Sequence, residues 1–155
     1  MGQILKRRLR QEKFESAYHE AVLNLLVTAS HFQERMSATL APYDITTAQY
    51  NVLRILRGAQ PDGFARCEIA ERAIERAPDL TRLIDRLESR GLVERARAHA
   101  DRRRSVSRIT RRGLDLVERV TPAVRAVHQE IATRLPEHDA REFSRICERL
   151  YSGGD

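Results

Sequence analysis

The chain has 155 residues, 41% of them apolar, with 28 Lys and Arg against 22 Asp and Glu and a net charge of +6. That length suits one compact unit, or two small cores sharing helices, and argues against a multidomain enzyme. No window of about 18 apolar residues occurs, and the N-terminal MGQILKRRLRQEKFE lacks a signal-peptide apolar run, so a cytoplasmic protein that spans no membrane is expected.

Cys67 and Cys147 are far apart and form no CxxC, which excludes a zinc or disulfide framework and predicts two buried thiols. His19, His31, His99, His128 and His138 are scattered without a ligand-pair spacing, so no metal site is expected. Walker loop, GxGxxG, nucleophile elbow and paired catalytic carboxylates are all missing; no catalytic residue and no cofactor are predicted. The charge is unevenly placed. Residues 94–113 hold eight arginines and two acids, a net +6 that equals the excess of the whole chain. Confinement of the excess to one short stretch is what a phosphate-facing surface requires.

In chain order, Tyr18, Val22, Leu25, Leu26, Ala29, Phe32, Met36 and Leu40 recur at three and four residues and predict one amphipathic helix from about Phe14 to Leu40. Pro42 and Asp44 end it. Thr46 and Gln49 have capping-box spacing before a second helix, Thr47 to about Arg57, with Tyr50, Leu53 and Leu56 inward. The run 58–63 is turn chemistry, and Glu68 to about Ile74 reads as a short helix burying Ile69, Ala70 and Ala73 or Ile74.

Pro78 suits the first position of the next helix, 78–90, whose inner stripe is Leu80, Leu83, Ile84 and Leu87 and whose left-handed C-terminal cap is Gly91. Strands are predicted at 92–96 and 105–109, forming a hairpin. A helix from about Thr110 to Leu135 follows, with a kink or junction expected at Pro122. The last helix, about Glu137 to Tyr151, is predicted to bury Phe143, Ile146, Cys147 and Leu150.

Two short helices, a tight turn and a hairpin make a winged helix-turn-helix, a mainly α fold in which the second helix enters the major groove of duplex DNA. The stripe on helix 78–90 turns Thr81, Arg82, Asp85 and Arg86 outward, where Arg82 and Arg86 are candidates for guanine edges or for phosphates. In the wing, 94–109, Asp101 can pair with one of Arg102, Arg103 and Arg104 and aim another into the minor groove. The apolar stripes of the terminal helices exceed what a winged domain needs. They point to a homodimer, with 1–45 and 114–155 as dimerisation helices around a DNA-binding domain at 46–113. The basic segment carries no aromatic residue, which sets an RNA-binding or protein-docking winged helix behind the DNA reading.

The run Asp79-Leu80-Thr81-Arg82-Leu83-Ile84-Asp85-Arg86-Leu87-Glu88-Ser89-Arg90-Gly91-Leu92-Val93-Glu94-Arg95, with Asp101-Arg102-Arg103, Ile109-Thr110 and Gly113, resembles the MarR (multiple antibiotic resistance regulator) family of bacterial transcription factors. The likeness extends from about Phe14 to Tyr151. It implies an intertwined homodimer on palindromic operator DNA, usually a repressor released by a small phenolic or lipophilic ligand or by thiol oxidation. It assigns Thr81, Arg82 and Arg86 to the recognition helix and Arg103, oriented by Asp101, to the wing tip, with Arg102 or Arg104 sharing that task.

Pro78-Asp79 departs from the Ser or Thr common there. Asp79 suits a helix cap better than a phosphate contact, although it could also accept from a cytosine amino group. An effector cleft would draw on Tyr18, His31, Tyr43 and Arg66. A redox sensor would use Cys67, beside Arg66 at a helix start.

Overall fold

The computed structural model describes residues 2–75, 79–98 and 103–152. Two units are distinguished, 1–47 and 48–155. In the first, helix α1 (Gln3–Leu9) precedes α2 (Ala17–Leu40), which ends in a 3₁₀ turn, Ala41–Tyr43. Ser16 caps α2 by accepting the His19 N–H at 3.1 Å, two residues beyond the predicted start. The sequence reading did not anticipate α1. Only Leu5 of its residues is buried, and the Lys6 ammonium lies 5.9 Å from the centre of the Phe14 ring. On α2, Leu40 alone is buried.

The second unit contains α3 (Thr47–Gly58, its first residue in the first unit), α4 (Arg66–Arg72), α5 (Leu80–Ser89), β1 (Val93–Arg97), β2 (Ser105–Ile109), α6 (Arg111–Ala132) and α7 (Glu137–Tyr151). Its core is aliphatic. Leu53 and Leu56 of α3, Ile69 of α4, Leu87 of α5, Val93 of β1 and Val117 and Val120 of α6 are fully buried. Each contributes roughly 1.5–3 kcal/mol relative to an exposed side chain.

Helix α5 packs on α4 and on β1, and α6 packs on β2. The hairpin is antiparallel, pairing Val93 with Ile109 and Arg97 with Ser105. A feature absent from the sequence reading joins it: Phe64 exchanges backbone hydrogen bonds with Ser107, at 3.1 and 2.8 Å, so the segment before α4 pairs with the wing.

The turn after α5 is a Schellman motif, with Gly91 N–H donating to the Glu88 carbonyl at 2.8 Å and Leu92 N–H to Leu87 at 3.0 Å. Gly91 has φ +67°, as the predicted left-handed cap requires. Thr110 then closes the far end of the hairpin, donating its hydroxyl to the Gly91 carbonyl at 2.7 Å and accepting the Gly113 N–H at 3.1 Å.

Gly113 is needed for a different reason. A Cβ there would clash with the Leu92 carbonyl oxygen and lie 2.7 Å from Ile109 Cγ1, so α6 can approach the hairpin only without one. Gly113→Ala is therefore expected to destabilise the fold by about 1–3 kcal/mol, read as a lower urea midpoint at unchanged m-value.

Several expectations are corrected. The helix expected at Glu68–Ile74 runs from Arg66 to Arg72, because Glu68 reaches back to accept the Ala65 N–H at 2.7 Å and so caps the start. Past Arg72 the backbone turns extended at Ala73, and helical phase no longer aims Ile74 inward; Ile74 is 81% exposed, and Ala70 is exposed as well. Pro122 makes no junction: α6 is continuous through it, and Pro122 and Glu118 lie on its exposed side, where water can serve the carbonyl that proline leaves unbonded. Strand β1 begins one residue later than predicted.

Helix α7 buries nothing in this chain; Phe143, Ile146 and Leu150 are exposed and Cys147 is half-buried. Cys67, in the first turn of α4, is exposed rather than buried. The expectations placed on Pro78, Asp101 and Arg102 fall outside the described residues.

Candidate nucleic-acid interface

Helix α5 owes its orientation to Leu80, Ile84 and Leu87, which are buried, while Leu83 is partly so. A 3.6-residue repeat with that stripe inside leaves Thr81, Arg82, Asp85 and Arg86 on the opposite face, and all four are exposed. The helix begins at Leu80. Asp79 is its cap, one carboxylate oxygen accepting the Arg82 N–H at 3.2 Å while the other meets Arg82 Nε at 3.0 Å. The predicted capping role of Asp79 is thus the observed one, and it suits the positive end of the helix dipole. Thr81 accepts a hydrogen bond from Arg66 Nη1 at 3.2 Å, which links α4 to the outer face of α5.

The acids on α5 have a use that sequence spacing did not indicate. Arg95 of β1 pairs closely with Asp85 and reaches Glu88 at 3.0 Å, clamping the wing's first strand to α5. Asp85 is therefore occupied by the wing instead of neutralising Arg86. Just before β2, Arg104 Nη2 lies 2.8 Å from Glu68 of α4. Arg108 donates to the backbone carbonyls of Asp62, at 3.1 Å, and Arg97, at 3.4 Å.

At least four of the eight arginines in 94–113 thus have partners inside the unit, Arg111 meeting Asp115 at 3.0 Å as the fourth. Arg95 and Arg104 fix the wing to the helices. Arg103 is exposed in the described part of the wing.

Glu68 is the hub of the α4 side. The Ala65 N–H, foremost, holds its carboxyl below the ordinary 4.5; burial opposes it next, and the hydrogen bond and charge of Arg104 and the charge of Arg72 add to the lowering. A lowered carboxylate pKa adds stability that is complete above the unfolded value and lost as the pH falls through the folded one. The melting-temperature difference between wild type and Glu68→Gln is accordingly expected at neutral pH and should close as the pH drops below 4.5. A difference that persists unchanged at pH 3 would show that the carboxylate charge is not its source.

Of the proposed effector residues, Tyr18 is exposed, His31 and Tyr43 are partly buried, and all three belong to the first unit, whereas Arg66 belongs to the second. Among the described residues, no helix is long and apolar enough to cross a membrane.

The profile of the MarR family matches residues 45–105, from just before α3 to the first residue of β2. The HTH-type transcriptional repressor Rv2887 of Mycobacterium tuberculosis H37Rv is 31% identical over 117 residues, covering 76% of this chain and 83% of that protein. The chain belongs to the MarR family. It is a MarR-family transcriptional regulator with a winged helix-turn-helix DNA-binding fold, and the family is one of regulators rather than enzymes.

Solved MarR structures superpose over most of the chain. A MarR transcription factor from Planctomyces limnophilus is 36% identical, with TM-score 0.66, covering 88% of this chain and 98% of its own. The Staphylococcus aureus MepR–DNA complex is 26% identical, with TM-score 0.74, covering 91% and 99%.

Proposed function

We propose that this MarR protein is a homodimeric repressor that reads a palindromic operator, with α5 in the major groove and the wing in the minor groove, and that a small phenolic or lipophilic ligand releases it. The observation that carries the DNA surface is the outer face of α5. Thr81, Arg82 and Arg86 stand exposed on a helix fixed from behind by three buried aliphatic residues and from the side by Arg95. Arg103 extends the same positive surface from the wing, where a narrow minor groove attracts arginine. Arg104, held by Glu68, acts as a positioning residue for the wing. The solved relative MepR is itself complexed with DNA, which supports the reading.

Dimerisation is supported by apolar faces left uncovered on α2 and α7, including Leu26 at 59% and Leu150 at 68% exposure. The helices flanking 46–113 are assigned to that role. A twofold dimer sets its recognition helices about one DNA turn apart, so a palindrome of roughly 16 to 20 base pairs is the expected site. In the released state the ligand engages Tyr18, His31 and Tyr43 of the first unit.

Fluorescence anisotropy with duplexes from the promoter beside the protein's own gene tests the reading. Nanomolar-range binding to a palindrome, falling steeply as salt rises from about 50 to 200 mM, is expected. Equal affinity for a scrambled duplex or for structured RNA at the same salt would overturn it.

A further inference from the structure

Arg66 is the first residue of α4, and the backbone is fixed on both sides of it. Before it, Phe64 exchanges hydrogen bonds with Ser107 of the wing at 3.1 and 2.8 Å. Ala65 donates its N–H to Glu68 at 2.7 Å and accepts the Ile69 N–H at 3.1 Å, and the Ile69 side chain is fully buried. From this anchored position the Arg66 side chain stays at the surface and crosses to α5. Its Nη1 donates to Thr81 Oγ1 at 3.2 Å, and both residues are exposed.

The acids that could compete for the guanidinium are engaged elsewhere. Glu68 is held by the Ala65 N–H and Arg104, Glu71 stands 3.9 Å from Arg72, and Asp79 takes the N–H and Nε of Arg82. Among the described residues Arg66 has no carboxylate partner, and its donor goes to Thr81.

That bond decides what Thr81 can read. A threonine hydroxyl has one proton and two lone pairs, so by itself it meets donor and acceptor base edges alike. On a helix its χ1 also divides between two wells. A guanidinium N–H only donates: it fills one lone pair, holds the oxygen in one well and sets a positive charge beside it. The hydroxyl proton then points away from Arg66, and a second donor approaching the oxygen meets both that proton and the charge.

Resting on the reading that α5 enters the major groove, we propose that Arg66 is a positioning residue that determines specificity, by making Thr81 a hydrogen-bond donor. The base facing Thr81 is then a keto base, guanine through O6 or thymine through O4. Cytosine and adenine present an exocyclic amino donor at that place and are disfavoured.

The test replaces each operator base pair in turn and measures binding by fluorescence anisotropy for wild type, Arg66→Ala, Thr81→Val and the double variant. Thr81→Val marks the base that Thr81 faces as the position where preference is lost. There wild type is expected to favour guanine or thymine over cytosine or adenine by about fivefold or more. Arg66→Ala should bring that preference below about twofold, keep the ranking of bases elsewhere, and add nothing in the double variant, as coupled residues do. Its melting temperature should stay near wild type, because the side chain is exposed. In the free protein, three-bond couplings should report one χ1 rotamer for Thr81 and averaging in Arg66→Ala.

A loss in Arg66→Ala that is uniform over all sequences, with a salt slope lower by about one, would make Arg66 a phosphate contact and overturn the assignment. So would an undiminished preference in Arg66→Ala, or a preference for cytosine or adenine at the Thr81 position in wild type. These outcomes leave the DNA reading standing where Arg86→Ala still weakens binding. Wild-type binding that shows no base preference anywhere overturns both.

Discussion

Replacing Arg86 by alanine is expected to weaken operator binding by about 1–3 kcal/mol, roughly five- to 150-fold, while leaving the unfolding midpoint where it is. The expectation follows from how charge is distributed on α5. Arg86 is exposed, and the neighbouring Asp85, which helical spacing would let screen it, is held by Arg95 of the wing. Arg82 is different: its guanidinium is tied to the capping carboxylate of Asp79 at 3.0 Å, so part of its field is already answered within the helix.

The two possible uses of Arg86 give different signatures. A bidentate contact to guanine O6 and N7 makes Arg86→Ala lose discrimination at one base pair, with the salt slope nearly unchanged. A phosphate contact lowers affinity evenly over all sequences and reduces the slope by about one. Arg104→Ala serves as the contrast, because its charge is taken up by Glu68; a smaller loss than for Arg86 is expected. Wild-type affinity in Arg86→Ala would remove α5 from the major groove.

Much of this surface is legible in the sequence, and the reason is periodicity. Leu80, Ile84 and Leu87 fix which side of α5 is buried, so Thr81, Arg82 and Arg86 could only face outward, as they do. Gly91 and Asp79 were legible for a related reason, since helix ends leave backbone groups that only certain residues satisfy.

What could not be read were contacts made by long side chains between elements. Arg95 meets Asp85 and Glu88 only because the Schellman turn folds β1 back along α5, and no spacing rule reports that. Glu68 likewise serves both Ala65 and Arg104, and Phe64 joins the wing by one pair of backbone bonds.

The charge count finds the +6 of residues 94–113 and cannot show that Arg95 and Arg104 brace the wing. Helix α1 escaped because its seven residues bury one leucine among consecutive cations and so show no stripe. Ile74 was misread because the apolar repeat outlasts the helix that carries it.

A single acidic substitution on either uncovered helix face should separate the proposed dimer and, with it, abolish the proposed operator binding. Leu26→Asp on α2 and Leu150→Asp on α7 alter side chains that are 59% and 68% exposed within one chain, so neither disturbs that chain's own core. In a twofold interface each change occurs twice. Every leucine removed forfeits up to about 1.5–3 kcal/mol of apolar burial, and each carboxylate added must be desolvated without a partner. Dissociation constants for the dimer are therefore expected to rise by at least about 10²-fold, and light scattering at micromolar concentration should report a monomer with wild-type helical content.

DNA affinity falls further than any single arginine change achieves. Two linked recognition helices bind the second half-site at an effective concentration near millimolar, and a monomer loses that advantage entirely. The loss should be about 10²- to 10⁴-fold at a palindrome and slight at an isolated half-site. Both variants remaining dimeric would show that the exposed faces of α2 and α7 serve another partner, and would leave the spacing of the operator without its cause.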